Sequence, residues 1–400
     1  MLKNENIICI STIDWDFIWQ GHQEIMATFA RNGNRVLFIE NTGVRVPGIR
    51  DIPRLKKRLL SWIKSAKGFR EERENLFVYS PIVLPFPYSR IARFINRNIL
   101  LRALKKWMKA TNFRDPIIWT FLPTGIAIDI INNIDRKMLV YYCIADFYKL
   151  VDDPKKVKKT EDEVIRKCDL VFVQGNVLKE RCLRFNKNFH IFPFGVNIQT
   201  FENYDRANSA LPKDIRGIKG PVIGYVGGLH KHVDFRLIRS MADKHPDWSI
   251  VMVGPAQTDI SEVESRKNVF LLGKKDFKDL PLYINKFDVC LIPYEINDYT
   301  KTVFPTKLNE YHSMGKPVVS TSLPEVIDFN KANDELVSVS TDRADFDRKT
   351  EAAISDKSEK LVKKRIESAK RNSWTERIEE MSCLMQLAMD RKGDQSGEDN

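Results

Sequence analysis

Lys307 and Glu310 stand three residues apart behind a Pro305-Thr306 turn. Gly315-Lys316-Pro317 then closes the segment before the β-branched run Val318-Val319-Ser320-Thr321. This punctuation reads as turn, helix, glycine stop and strand. A cation at the start of a helix suits an anionic diphosphate, because unpaired N–H groups and the helix dipole both favour negative charge there. A carboxylate one turn deeper can accept hydrogen bonds from a ribose diol, as acidic residues do in dinucleotide folds. Together the two describe a site for a nucleoside-diphosphate sugar. Taken singly, Lys307 is equally a solvated helix lysine and Glu310 a first-turn acid complementing the dipole, so the reading needs support elsewhere in the chain.

That support begins with Gly227-Gly228-Leu229-His230-Lys231, directly behind the apolar run Val222–Val226. Paired glycines let backbone N–H groups approach phosphates without a Cβ in the way. Gly-Gly alone also fits an ordinary tight turn between strand and helix. Lys231 or His232 adds positive charge, Val253-Gly254-Pro255 shapes the same cleft, and Pro293-Tyr294 ends a strand where it can border a base or ribose.

In this order and context, the segments from Gly227-Gly228 to Gly315-Lys316-Pro317 resemble the donor-binding region of GT-B glycosyltransferases. The nearest groups are family 4 enzymes, teichuronic-acid-type transferases and the xanthan glucuronosyltransferase. The resemblance covers about residues 220–330 well and the first domain more loosely. It implies an α/β architecture of two doubly wound, Rossmann-like domains facing a central cleft, with a C-terminal helix crossing back to the first. It also implies an enzyme that moves a sugar from a nucleoside-diphosphate sugar, expected to be UDP-linked, to a lipid-linked or polysaccharide acceptor in cell-surface polysaccharide biosynthesis. Thr302 and Thr306 join the implied donor set of Gly227, Gly228, Lys231, Gly254, Tyr294, Lys307 and Glu310. Many family 4 members have two glutamates flanking seven residues. Glu310 matches the second while Thr302 occupies the first position, which leaves inversion and retention of the anomeric centre both open.

Such a transferase needs a base in the first domain to take the acceptor hydroxyl's proton if it inverts. Asp146, in Tyr141-Tyr142-Cys143-Ile144-Ala145-Asp146, is the candidate, resembling the segment where the xanthan-type enzymes place their catalytic aspartate. The alternative is a helix cap. Asp14 and Asp16, behind the first apolar run, and His22 are read as acceptor-binding residues rather than a metal motif. No cluster has metal-ligand spacing, and GT-B enzymes usually need no metal or other cofactor.

The elements that must position these residues follow the same plan. Four hundred residues, 43% of them hydrophobic, suffice for two ordinary domains. Apolar runs at Ile7–Ile10, Val36–Glu40, Leu76–Ser80, Ile117–Phe121, Leu139–Cys143 and Leu170–Gln174 alternate with helical patterns. That alternation argues for a parallel sheet covered on both faces. Pro193–Asn197 resembles the closing strand of the first domain in the glycosyltransferase family, and the polar stretch 202–220 reads as the linker. The pattern then restarts at Val222 and continues through Ser249–Val253, Val269–Leu272, Val289–Pro293 and Pro317–Ser320. The expected domains are 1–205 with the crossing helix 373–392, and 215–372. Glu359–Met389 reads as helical and amphipathic, and 393–400 as a disordered tail.

Six cysteines without paired spacing read as free thiols of a reducing compartment. No secretory leader or spanning apolar run is present, so a cytoplasmic location, peripheral on a membrane, is expected. The net charge of +12 is uneven, for residues 45–114 hold 18 Lys and Arg against four acids. Two basic amphipathic helices are expected there, at Arg54–Lys67 and Arg90–Lys109. Basic faces beside Trp, Phe and Leu fit an anionic membrane surface. Equally, the apolar faces, including Ile91, Phe94, Ile95, Leu101, Leu104 and Met108, could pack into the core while the charges are solvated; both can hold together. Two rival functions fit less well. A sugar-nucleotide epimerase on the same fold would need no acceptor site, and a nucleic-acid-binding protein lacks any recognised signature.

Overall fold

The computed structural model describes residues 1–17, 19–41, 68–84, 89–147, 154–202, 204 and 210–398, with side chains as far as 392. The expected helix at 54–67 and part of the 202–220 linker lie outside those residues. The chain forms two compact units, Met1–Pro193 with Ile378–Asn400, and Phe194–Arg377.

The first unit is built on an eight-stranded sheet. Its strands are β1 (Asn6–Ile10), β2 (Arg35–Ile39), β3 (Phe69–Arg73), β4 (Leu76–Tyr79), β5 (Ile117–Thr120), β6 (Met138–Cys143), β7 (Leu170–Val173) and β8 (Phe189–Ile191). They lie in the order β3-β4-β2-β1-β5-β6-β7-β8. All pair in parallel except β3, which runs antiparallel to β4 at the edge. The inner strands β5, β6 and β7 are buried throughout, which is why they are uninterrupted apolar runs. The edge strand β3, Phe-Arg-Glu-Glu-Arg, carries charge outward and shows no apolar run.

The second unit holds β9 (Val222–Val226), β10 (Ser249–Val253), β11 (Val269–Gly273), β12 (Val289–Ile292), β13 (Val318–Ser320) and β14 (Val337–Val339). The sheet is wholly parallel in the order β11-β10-β9-β12-β13-β14. Counted within the unit this is 3-2-1-4-5-6, the dinucleotide-fold order, whose direction reverses between β9 and β12. Ligands of such sheets bind beyond the carboxyl ends of the strands at that reversal. The first unit reverses between β1 and β5.

Three expectations need correction. Pro193–Asn197 is not a strand: β8 ends at Ile191, and Val196 makes only an isolated bridge to Ser373. Pro193 has no N–H to give a ladder. Nor does the division fall at 205–215. It falls at Pro193–Phe194, because the outgoing segment is tied to the returning one by Val196 N–H to Asn372 O (3.1 Å) and Trp374 N–H to Val196 O (3.0 Å). Gly195 allows this approach, since a Cβ there would fall 2.9 Å from the Trp374 backbone nitrogen. Finally, the tail expected to be disordered is mostly helical: the crossing helix expected at 373–392 runs Trp374–Glu398, behind a separate helix Glu359–Arg371. Ser373 restarts the helix by accepting from Glu376 N–H. The part from Ile378 onward belongs with the first unit, where Lys392 pairs with Asp169 at 3.0 Å.

In the helix Arg90–Ala110 the apolar residues are divided between a core-packed face and an exposed one. Ala92, Asn96, Leu100 and Leu104 are its buried residues, while Ile91, Phe94 and Ile95 face solvent. Among the described residues, no helix is long and apolar enough to cross a membrane.

Candidate functional site

The short helix Lys307–Ser313 is fixed by Tyr311, fully buried, whose hydroxyl accepts from Val226 N–H at the end of β9 (2.8 Å). Lys307 lies one turn before Tyr311, on the same helical face, so this bond directs Lys307 at the carboxyl end of β9. Gly315, at φ +68, ends the turn. Leu308 and Asn309 give their N–H groups to Pro305 and Thr306 carbonyls, so those two donors are not free for a diphosphate as the sequence reading supposed.

Lys307 is buried among aromatic rings. Its Nζ lies 4.7 Å from the Tyr294 ring centroid and 5.2 Å from that of Tyr225, and it donates to the Tyr294 hydroxyl. Two ring faces and a neutral oxygen stabilise an ammonium without cancelling its charge. Gly227 adjoins it, for a Cβ there would sit 3.1 Å from Lys307 Cε. Gly254, at φ +155, packs closer still: a Cβ would fall 1.9 Å from Gly227 O, so the loops behind β9 and β10 touch backbone to backbone. A Cβ on Gly228 would meet the Gln257 amide at 3.1 Å. Gly227, Gly228, Gly254, Tyr294 and Lys307 thus gather at the β9/β12 reversal.

Glu310 lies half-buried one turn along from Lys307, and burial pushes its carboxyl above the usual range, with Lys307 pulling it back. Among the described residues it forms no hydrogen bond or ion pair. Thr306 is half-buried and makes no capping bond. Thr302 is committed to structure, its buried hydroxyl donating to Tyr299 O at 2.8 Å. Lys231 points to solvent.

Tyr225 and His230 escaped the sequence reading. The His230 and Tyr294 rings are 5.6 Å apart. Burial, with the charge of Lys307, pulls the His230 pKa down to about 4, leaving it neutral at pH 7. Tyr225 points at the site from inside β9, where an aromatic residue reads as core. Nothing in the sequence marks it except its place two residues before Gly227.

The first unit assembles its predicted residues in two groups. His22 is buried against Phe121 (4.2 Å between rings) at the β1/β5 reversal, with Nε2 2.8 Å from Thr12 Oγ1; desolvation lowers its pKa to about 3. Asp16 is half-exposed and accepts from Arg70 at 3.4 Å, and Asp14 O accepts from Phe17 N–H. Asp146, beyond β6, is buried and bonded by Arg181 at 3.1 Å. Arg181 also pairs with Glu161, which is fully buried and accepts from the Tyr141 hydroxyl at 2.6 Å. Burial pushes the Glu161 carboxyl up while Arg181 and Tyr141 pull it down.

Comparison with known proteins bears on this geometry. Residues 220–356 match the family model "Glycosyl transferases group 1". Those residues form a group 1 glycosyltransferase domain. A putative teichuronic acid biosynthesis glycosyltransferase, TuaH of Bacillus subtilis, is 28% identical over 187 residues, or 44% of this chain. The match spans a little under half of that relative, 46% of its length. Solved structures align over nearly the whole chain. Sucrose-phosphate synthase of Thermosynechococcus elongatus gives a TM-score of 0.67 at 14% identity, covering 97% of this chain and all of that one. A glycosyltransferase of Rickettsia africae gives 0.68 at 14%, over 97% and 99%. HepE of Anabaena, solved with UDP and glucose, gives 0.62 at 14%, over 95% and 99%. At such identities the likeness establishes the fold, which is GT-B. The glycosyltransferase domain contains every donor residue expected from the sequence, and its β9/β12 reversal is where Lys307 is held.

Proposed function

We propose that the chain is a glycosyltransferase of cell-surface polysaccharide biosynthesis that moves a sugar from a UDP-linked donor to a lipid-linked or polysaccharide acceptor. The second unit holds the donor. The observation that carries this reading is Lys307, a buried ammonium contacted by Tyr225, Tyr294 and Gly227, with no ion pair to a carboxylate among the described residues. A diphosphate would supply the missing negative charge, and Glu310, without a bond of its own, would accept from the ribose hydroxyls. His230, neutral, would add a hydrogen bond rather than a charge. HepE's complex with UDP and glucose, on the same fold, supports a UDP donor.

The first unit is proposed to receive the acceptor near Asp14, Asp16 and His22, with Asp146 as base if the reaction inverts. Arg181 then orients the Asp146 carboxylate, as the third member of a catalytic array orients its base. No metal or other cofactor is invoked, because Lys307 can neutralise the leaving diphosphate.

A thermal-shift panel of UDP-, GDP- and ADP-sugars on the parent and on Glu310→Ala tests this. The expected result is a raised melting temperature with UDP-sugars and a smaller rise in the variant. If no sugar nucleotide stabilises the parent, the donor assignment fails.

A further inference from the structure

The helix Arg90–Ala110 has seven basic residues and no acid. Its inner face is sealed against the first unit by Ala92, Leu100 and Leu104, and Asn96 bonds both the N–H and the carbonyl of Leu84, at 2.7 and 3.1 Å. Arg93 is used as well, gripping Asp129 through Nε and Nη2 at 2.9 and 2.8 Å. The outer face therefore has no part in holding the helix, yet its first half is apolar. Ile91, Phe94, Ile95 and Ile99 follow the i, i+3, i+4, i+8 spacing of one helical stripe, and they are 75%, 60%, 37% and 54% exposed. Leu84 and Ile82, brought to the same helix through Asn96, are exposed too. The second half of the same face is cationic, with Arg102, Lys105, Lys106 and Lys109 all in solvent. Among the described residues none of these four forms an ion pair.

Single exposed apolar side chains are ordinary, but a contiguous group bordered by uncompensated charge marks a surface that meets something. We propose that this face docks on an anionic lipid bilayer. The apolar half enters the boundary between headgroups and acyl chains, and the cationic half lies over lipid phosphates. Arg97, placed over the Phe94 ring at 5.6 Å, extends its charge from the apolar half toward the same phosphates. Charge decides among occupants. A second copy meeting this face about a two-fold axis would set each cationic half against another cationic half or against an apolar one, and supplies no anion to either. A neutral bilayer would leave that half without a partner, whereas an anionic bilayer matches both halves. The inference rests on the proposed function only for its purpose, since a lipid-linked acceptor is met at a bilayer surface.

The test is co-sedimentation of the full chain with vesicles of phosphatidylcholine alone and of phosphatidylcholine mixed one to one with phosphatidylglycerol. Binding is expected only to the mixed vesicles and should weaken as salt rises. The double variant Phe94→Ser/Ile95→Ser should bind at least about tenfold more weakly. Lys105→Gln and Lys106→Gln should each cost roughly fivefold at low salt. All four side chains are exposed, so melting temperatures should stay at the parent value, while Leu387→Ser, an exposed apolar position elsewhere, should bind as the parent does. Absence of parent binding to either vesicle, or equal binding by all variants, overturns the proposal. So does a parent dimer in light scattering that Phe94→Ser/Ile95→Ser converts to monomer. Sugar-nucleotide binding is measured on the same proteins: if the parent binds vesicles but no sugar nucleotide, the transferase reading fails and this one stands.

Discussion

In the second unit a buried cation, Lys307, has neutral first neighbours: two phenol rings, one hydroxyl and a glycine backbone. In the first unit a part-buried cation, Arg181, is met by the carboxylates of Asp146 and Glu161. Both lie beyond the carboxyl ends of parallel strands, yet their electrostatics are opposite. Arg181 has its counter-charges built in, so its cluster is complete as folded. Among the described residues no carboxylate pairs with the buried Lys307, a costly state that folding retains only where rings and a hydroxyl offset the lost water. Such a group is ready for an anionic ligand, and the contrast supports the proposed division into a donor site and a positioning network.

The comparison breaks most directly at Asp146. As base, it should take kcat down by roughly 10²- to 10⁴-fold in Asp146→Asn, with donor affinity unchanged. A fall of less than tenfold would leave Asp146 as part of the Arg181 network alone. Next comes Arg181→Ala, which strands two buried carboxylates and should cost about 3–5 kcal/mol of stability in chemical unfolding. A loss below about 1 kcal/mol would mean that the network is not closed as described. Lys307→Met removes a charge no folded carboxylate contacts, so stability should hold or rise while donor affinity drops about thirtyfold, near 2 kcal/mol, by titration calorimetry. Destabilisation with unchanged affinity would reverse the roles assigned to the two cations.

Much of this was legible because parallel strands buried on both faces must be apolar runs, and β1, β5, β6, β9 and β12 all read that way. The segments proposed to hold the donor were legible for a different reason: Gly227 and Gly254 within them, and Gly315 closing the Lys307 helix, sit at positive φ, where only glycine is comfortable, and punctuate the chain visibly. What could not be read depended on partners distant in sequence. Tyr225 and Tyr311 look like core, and only the fold turns one toward Lys307 and the other into a peg for its helix. Charged β3 has no apolar period because it is an edge. The outer stripe of Arg90–Ala110 was visible as amphipathicity, but its apolar residues were divided between the two faces only by packing. Thr302 entered the donor set through resemblance, and its hydroxyl is occupied by Tyr299.

The smallest effect sharpens the comparison from the other side, because in one respect the units agree. Each buries one neutral histidine, His22 in the first and His312 in the second. Burial takes both from an ordinary value near 6.5 to about 3, with the charge of Arg365 adding to the effect on His312. The unfolded chain therefore binds protons below pH 6.5 that the folded chain refuses. Stability is fully present above pH 6.5 and is lost as pH falls from there toward 3. Each histidine should withdraw about 1 kcal/mol between pH 6.5 and 5.5. The raised carboxyls of Glu161 and Glu310 act with opposite sign as pH falls, since protonation relieves their burial, so each histidine's share is read as the difference between its variant and the parent. Unfolding of His22→Gln and His312→Leu across the window should show a shallower pH dependence in each, by a similar amount. An unchanged slope in one variant would mean that the corresponding imidazole is protonated in the folded chain and has a counter-charge, as Arg181 does.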